Sequence, residues 1–214
     1  MTGIVLYGRA NSINVIKPLW VLEELGLPYK RVDAGMAFGV VDTPEYRALN
    51  PNGRIPALRH GDVELWESNA ICRYLCLLAG GDAHGLYPTA PGARASVERW
   101  LDWQLSTLSP AERGLFWGMV RTPEASRDMA AVRQAVTDSA ACWAILDARL
   151  ADGRPYLEGA ALTLADIVLG AFARRWFGPE VRVDGMPDFP PLAAWYARLG
   201  ERPGFARWVA PKLF

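Results

Sequence analysis

The stretch Ile4-Val5-Leu6-Tyr7-Gly8-Arg9-Ala10-Asn11-Ser12-Ile13-Asn14-Val15 runs from apolar to small and polar to apolar again. Ile4 to Tyr7 is a short apolar run with a β-branched start, the pattern of a buried strand. Beyond the polar turn, Val15, Leu19, Leu22 and Leu25 form a helical stripe. Proline is tolerated only in a first helical turn, so Pro18 sets the start of this helix near Asn14. Gly26 and Pro28 end it. Tyr29 to Asp33 reads as a second strand. Residues 34 to 54 are rich in Gly, Pro, Asn and Asp and predict a loop carrying short helices. Ala57 to His60 and Val63 to Trp66 flank Gly61-Asp62, the pattern of a hairpin. Ser68 then opens a helix with Ile71, Tyr74, Leu75 and Leu78 on its apolar face. The order β-α-β followed by β-β-α predicts a small mixed sheet with helices packed on it.

Past Leu78 the composition changes. Residues 79 to 92 are a linker by their Gly, Pro and Ala content, and everything after them reads as helix. Ala93 to Leu108 and Leu115 to Val120 surround Ser109-Pro110, a break or kink in a long helix. Met129 to Leu150 is another long helix. Thr163 caps the next, with Asp166 at the capping-box position and Leu162 placed to staple onto Ile167. Pro191 to Leu199 and Gly204 to Val209 complete the chain. The expected domains are an α/β domain over 1–81, a linker over 82–92 and an all-α domain over 93–214.

The 214 residues are 51% hydrophobic and 21% charged, ample for a buried core. Lys plus Arg equals Asp plus Glu at 23 each, and each expected domain balances its own charges. That argues against nucleic acid or an anionic membrane surface as a partner. The basic set is lopsided, with 20 Arg and 3 Lys. No apolar stretch approaches the length of a membrane span, and the N-terminus carries no signal-peptide pattern. Cys72, Cys76 and Cys142 are odd in number and form no CxxC pair, which predicts neither a disulfide framework nor a zinc site. With His60 and His84 the only histidines, no metal site is expected. A cytoplasmic location follows as the simplest compartment.

Three features of the first domain point to one place. The turn Gly8 to Asn14 puts Asn11, Ser12 and Asn14 where a strand ends and a helix begins. Free backbone N–H groups and the positive end of the helix dipole favour an anion there, although the same residues also serve as plain caps. In Asn50-Pro51-Asn52-Gly53-Arg54-Ile55-Pro56-Ala57, a proline stands at the first position of a strand, where no N–H is needed. A cis bond before Pro56 would turn the Ile55 backbone toward an extended ligand. In Trp66-Glu67-Ser68-Asn69, another strand end feeds another helix N-terminus. Ser68 suits a carboxylate and Glu67 an ammonium, the two charges of an amino-acid head group.

In order and spacing these motifs resemble the glutathione transferase family along essentially the whole chain. The resemblance implies a thioredoxin-like N-terminal domain that binds glutathione and an all-helical C-terminal domain that takes the electrophile. It implies that Pro56 is the family's cis-proline and that the Ile55 backbone meets the cysteinyl part of glutathione. Glu67 and Ser68 would hold the γ-glutamyl end. The stretch Gly8 to Val15 is most similar to a bacterial subgroup related to haloacetate-active transferases. Tyr7 lies near where tyrosine-type members carry their catalytic hydroxyl, and Ser12 where serine-type members carry theirs. The turn has no Cys, which disfavours the redox and lyase members. The family often carries a basic residue after the second strand for the glycyl carboxylate, but no Lys or Arg falls between Arg31 and Arg47, so either Arg54 or Asn52 takes that role or it is unfilled.

The implied reaction adds a glutathione thiolate to an electrophilic carbon, with glutathione as cosubstrate and no cofactor. A free thiol has a pKa of about 8.5, and lowering it by about two units takes roughly 2.7 kcal/mol. A hydrogen bond to the anion supplies about 1.5–3 kcal/mol and a helix N-terminus about 0.3–1. One hydroxyl plus the dipole is enough, and Ser12 is ranked before Asn11 and Tyr7 as its donor. In the second domain Trp100, Trp103, Phe116 and Trp117 cluster near Ser109-Pro110. Arg113 and Trp117 share a helix face, and Arg121, eight residues on from Arg113, stays roughly on it at the α-helical period. Arg9, Arg113 and Arg121, with Trp117, are therefore expected to form a pocket for a carboxylate-bearing electrophile such as a haloacetate. A homodimer is expected from the resemblance. The rival reading is a non-catalytic glutathione-binding regulatory protein on the same fold.

Overall fold

The structure is a computed structural model and describes residues 3–80, 82 and 85–212. His84, with Gly81 and Ala83 of the expected linker region, lies outside the described residues. The chain divides into two compact units: one runs to Thr89 and includes the segment from Arg202 onward, and the other is Ala90–Glu201.

The first unit is built on four strands: β1 (Ile4–Tyr7), β2 (Tyr29–Val32), β3 (Ala57–His60) and β4 (Val63–Trp66). They lie in the order β2-β1-β3-β4, with β1 parallel to β2 and antiparallel to β3. Helix α1 (Ile13–Leu25) makes the crossover from β1 to β2, since parallel neighbours require one. α2 (Pro44–Leu49) and a 3₁₀ turn at Met36–Phe38 occupy the predicted loop, and α3 (Ser68–Leu78) follows the hairpin. Side chains alternate across β1. Leu6 is fully buried. Tyr7 points the other way, edge-on to Tyr46 of α2 at 6.0 Å, in a cluster with Ala34, Leu49, Ala57 and Ile55. Pro18 lies inside α1, past the first turn where it was expected. Buried contacts on every side of the helix (Ile16, Leu19, Trp20 and Leu22 are all at most 1% exposed) outweigh the lost hydrogen bond.

The second unit is all-helical: α4 (Pro91–Trp103), α5 (Ser109–Phe116), α6 (Met129–Leu150), α7 (Leu164–Phe177) and α8 (Pro190–Gly200). The chain does not break at Ser109-Pro110. A π-turn over Gln104–Leu108 leads directly into α5. Its wider ladder gives room for Pro110, which has no N–H to donate and whose ring crowds the preceding turn. A second π-turn, Trp117–Arg121, follows α5. The Thr122 N–H donates to the Trp117 carbonyl at 2.9 Å, a five-residue step.

The expected helical domain of 93–214 gives up its last segment. Helix α9 (Pro203–Trp208) packs on α1 of the first unit. Phe205 meets Trp20 edge-on at 5.6 Å, Arg202 pairs with Glu24, and Arg207 pairs with Glu23 at 3.0 Å. Gly204 permits the approach, because a Cβ there would lie 2.3 Å from the Trp20 ring.

Candidate functional site

Two helix N-termini and one strand entry assemble the site in the first unit. Gly8 lets β1 pass into the turn. Its φ of 150° suits glycine, and a Cβ would stand 2.5 Å from Val15. Ser12 then takes the N-cap position of α1 with extended backbone. Its carbonyl accepts from the N–H groups of Val15 at 2.8 Å and Ile16 at 2.9 Å. The side chain is 9% exposed and makes no capping hydrogen bond. Ser12 is therefore a hydroxyl at a positive helix end that does not serve the helix. Asn11 differs: its Oδ1 accepts from Arg9 at 2.8 Å, which fixes the amide and leaves its NH₂ as the donor. Tyr7 faces the α2 layer, where the Tyr46 phenol is pushed up to about 12, first by burial and then by Tyr7.

The Ile55–Pro56 bond is cis. The β1–β3 register starts at Ala57, so the Ile55 peptide groups lie outside the ladder. The preceding loop is tied down by the Arg54 carbonyl, which accepts from the Tyr46 hydroxyl and from Asn50 Nδ2, both at 2.7 Å. The Asn52 amide nitrogen donates to Asn50 Oδ1 at 3.1 Å. The side chains of Asn52 and Arg54 are exposed, and among the described residues none pairs with the Arg54 guanidinium.

Glu67 precedes α3 with φ 69° and ψ 112°, a conformation L-residues rarely adopt. It is exposed, while Ser68 is 3% exposed. Strain of this kind is held only where the surroundings enforce it, and it clusters at ligand sites. Beneath it the Lys17 ammonium, fully buried, donates to Asn69 Oδ1 at 2.8 Å and joins α1 to α3. Sequence reading passed over Lys17. A lysine inside an otherwise apolar helical stripe was the available signal.

In the second unit the expected cluster separates. Trp100 and Trp103 line a cavity of about 660 Å³ with Arg99, Ile145, Arg149 and Arg154. Phe116 is buried and Trp117 exposed. Arg113 stacks on Trp117, with Cζ 5.8 Å from the ring centroid. Arg121 does not share that face. Its Cζ lies 5.6 Å from the centroid of Phe116. Residues five apart in an α-helix point about 140° away from each other, and the π-turn removes most of that offset. Arg175 of α7 lies over the same ring at 4.1 Å and was missed, since a helical Arg-Arg pair carries no distinguishing pattern. Arg9 belongs to the first unit.

Glu112 of α5 was also missed. It is 1% exposed, and neither carboxyl oxygen finds a hydrogen-bond donor. Burial pushes its pKa up to about 8. Arg175 and the Trp143 indole oppose the rise, but the indole N–H leans toward the carboxyl without completing a hydrogen bond. Burial likewise pushes the thiols of Cys72 and Cys142 upward, so both stay protonated and act as packing. Among the described residues no group of three His, Cys, Asp or Glu is placed to hold a metal ion, and no helix is long and apolar enough to cross a membrane.

The fold is a thioredoxin-like domain joined to an all-helical one. The family model "Glutathione S-transferase, N-terminal domain" matches residues 2–76, and "Glutathione S-transferase, C-terminal domain" matches residues 129–198. The chain is 42% identical over 208 residues to glutathione S-transferase GstB of Escherichia coli K12, covering 96% of this chain and 97% of that one. It is 31% identical to glutathione S-transferase 3 of Zea mays, with 98% and 95% covered. The crystal structure of a theta class glutathione S-transferase from Xanthomonas axonopodis pv. citri, with glutathione bound, superposes with a TM-score of 0.92 at 48% identity and full coverage of both chains. The chain belongs to the glutathione S-transferase family and is an enzyme of the transferase class.

Proposed function

We propose that this transferase binds glutathione in its first unit and adds the glutathione thiolate to a small electrophile, a carboxylate-bearing haloalkane. The observation that carries the reading is the Ser12 hydroxyl, buried at the N-terminus of α1 and unused as a cap. Set against a thiolate, it donates one charge-assisted hydrogen bond, and the helix end adds its dipole. Asn11, through its amide NH₂, is the second donor; Tyr7, turned toward α2, is the third.

The rest of the glutathione fits the same surface. The Ile55 peptide groups, outside the ladder and beside cis-Pro56, pair with the cysteinyl residue. Glu67 and Ser68 take the γ-glutamyl ammonium and carboxylate, and the φ of Glu67 supports this, because strain there serves no evident purpose in the fold. Arg54 and Asn52, exposed at the turn, take the glycyl carboxylate. The nucleophile belongs to the cosubstrate, so the protein supplies only thiolate stabilisation and proximity. Arg9, Arg113 and Arg121, with Trp117, are the candidates for the electrophile's carboxylate. Work as a cytoplasmic homodimer in detoxification is part of the same reading and rests on the family.

The test is the pH–rate profile. Ser12→Ala is expected to raise the kinetic pKa of the bound thiol toward the free value, with about a ten- to hundredfold loss of kcat/KM at neutral pH. An unchanged profile rejects Ser12 as the donor, and Asn11→Ala and Tyr7→Phe then decide between the remaining two.

A further inference from the structure

The turn before α1 and the end of the described chain border a cavity of about 100 Å³ within the first unit. Ala10 and Asn11 form one wall, and Arg207, Trp208, Pro211 and Lys212 form the other. A water takes about 30 Å³ of liquid, and a cavity of about 150 Å³ takes benzene. The space therefore suits a two-oxygen group on one or two carbons, and not a ring.

The wall side chains offer donors and no carboxylate. Asn11 Oδ1 already accepts from Arg9 at 2.8 Å. A guanidinium only donates, so the amide NH₂ is the end left for a ligand. The Trp208 Nε1 is buried, and no acceptor among the described residues takes a hydrogen bond from it. Such a donor keeps its desolvation penalty until an acceptor reaches it. Arg207 holds the indole in place: its Cζ lies 4.9 Å from the ring centroid, and the same guanidinium pairs with Glu23 of α1 at 3.0 Å. Glu23 thus balances Arg207. Lys212 adds a further positive charge at the cavity, and among the described residues none pairs with its ammonium. A wall set of an amide NH₂, an indole N–H and an ammonium matches a carboxylate, whose oxygens accept and never donate. Ala10 and Asn11 also belong to the turn that carries Ser12, so an anion seated here stands at the turn proposed to hold the thiolate.

We infer that Lys212, Trp208 and Asn11 bind the carboxylate of a short aliphatic anion in this cavity, and that Lys212 and Trp208 determine specificity for the electrophile. The role toward the electrophile rests on the transferase reading above, whereas the binding of a carboxylate does not. In a haloacetate the thiolate sulfur bonds to the methylene carbon while the halide leaves with the electron pair of the carbon–halogen bond. The carboxylate takes no part in that exchange and stays in the cavity. Arg9 then acts through Asn11, by fixing its amide.

Acetate and acetamide have nearly the same shape, differ in charge and do not react; iodoacetate and iodoacetamide are their electrophilic counterparts. Acetate is expected to raise the melting temperature of the wild-type enzyme, and acetamide is not. Lys212→Met and Trp208→Phe are each expected to weaken acetate about three- to tenfold, read from the dependence of the shift on acetate concentration. Lys212→Arg keeps the charge and is expected to retain most of the affinity. With glutathione present, kcat/KM above the uncatalysed rate is measured for both iodo compounds. The ratio of iodoacetate to iodoacetamide is expected to fall about three- to tenfold in Lys212→Met and in Trp208→Phe. An acetate shift that is equalled by sodium chloride at the same ionic strength, unchanged in both variants, or lost once glutathione is bound overturns the site. Acetate binding through Lys212 and Trp208 without turnover of iodoacetate upholds the site and removes the carboxylate electrophile from the transferase reading. Turnover of iodoacetate that is indifferent to both residues keeps that reading and overturns their role in it.

Discussion

The ammonium of Lys17 donates to Asn69 Oδ1 at 2.8 Å, and both residues are at most 1% exposed. The bond crosses from α1 to α3, the helices whose N-termini carry Ser12 and Ser68. A buried charge tolerates the loss of an acceptor poorly, because its desolvation remains. Asn69→Ala is therefore expected to cost about 1.5–3 kcal/mol in urea unfolding. Lys17→Met, which removes the charge and keeps the length, is expected to cost less than Asn69→Ala. The reverse order would show that the ammonium is not the group needing compensation.

Glu67 separates folding from binding. Its φ of 69° suits glycine far better than glutamate. Glu67→Gly is expected to leave stability unchanged or to raise it by up to about 1 kcal/mol, since relief of strain offsets the gain of unfolded-chain entropy. The same variant is expected to raise KM for glutathione by about tenfold or more, through the lost partner for the ammonium. Thermal melts and glutathione saturation curves on one preparation read both effects. A fall in stability with unchanged KM would make Glu67 a structural residue.

Asp166 is a case where sequence and structure agree on a residue and the structure enlarges its role. The carboxylate accepts from the Thr163 N–H at 2.9 Å, one arm of a capping box, and also from the Thr163 hydroxyl at 3.0 Å. It also accepts from the Leu157 N–H at 2.8 Å and the Trp195 indole at 2.9 Å, and it is fully buried. Asp166→Ala strands four donors and is expected to cost about 3–5 kcal/mol, well beyond the roughly 1 kcal/mol of a simple cap. Trp195→Phe is expected to recover only a small part of that loss in a double-mutant cycle.

What the chain reveals in its sequence follows its local rules. The strands and helices around Tyr7, Ser12 and Ser68 were legible because apolar period and turn chemistry act within a few residues. The site motifs sit at those junctions, so their positions came with the elements. Arg121 was misplaced because its face was counted at 3.6 residues per turn, and the π-turn at Trp117–Arg121 changes the count. Nothing local marks that turn. The return of α9 to α1 was equally hidden, since it depends on Trp20 meeting Phe205 across most of the chain. No local pattern sets Glu112 or Arg175 apart in the sequence. Only the packing of α5, α6 and α7 reveals that one is sealed in and the other stacked.

Glu112 gives the second unit a pH dependence of definite sign. Burial raises its folded-state pKa to about 8, against 4.5 as the ordinary value, with Arg175 and the Trp143 indole opposing the rise. Between those two values the folded protein holds a proton that the unfolded chain releases. The stability contributed by this group is therefore full below the lower pKa, declines as pH rises, and is gone once pH passes the folded value. Glu112→Gln keeps the shape of the protonated acid and cannot ionise in the unfolded chain. Its unfolding free energy is expected to match wild type near pH 4.5 and to exceed it progressively up to about pH 8, with a plateau of a few kcal/mol beyond. Urea titrations of both proteins at several pH values read the difference directly. A constant gap across that range would mean that Glu112 is already ionised in the folded protein.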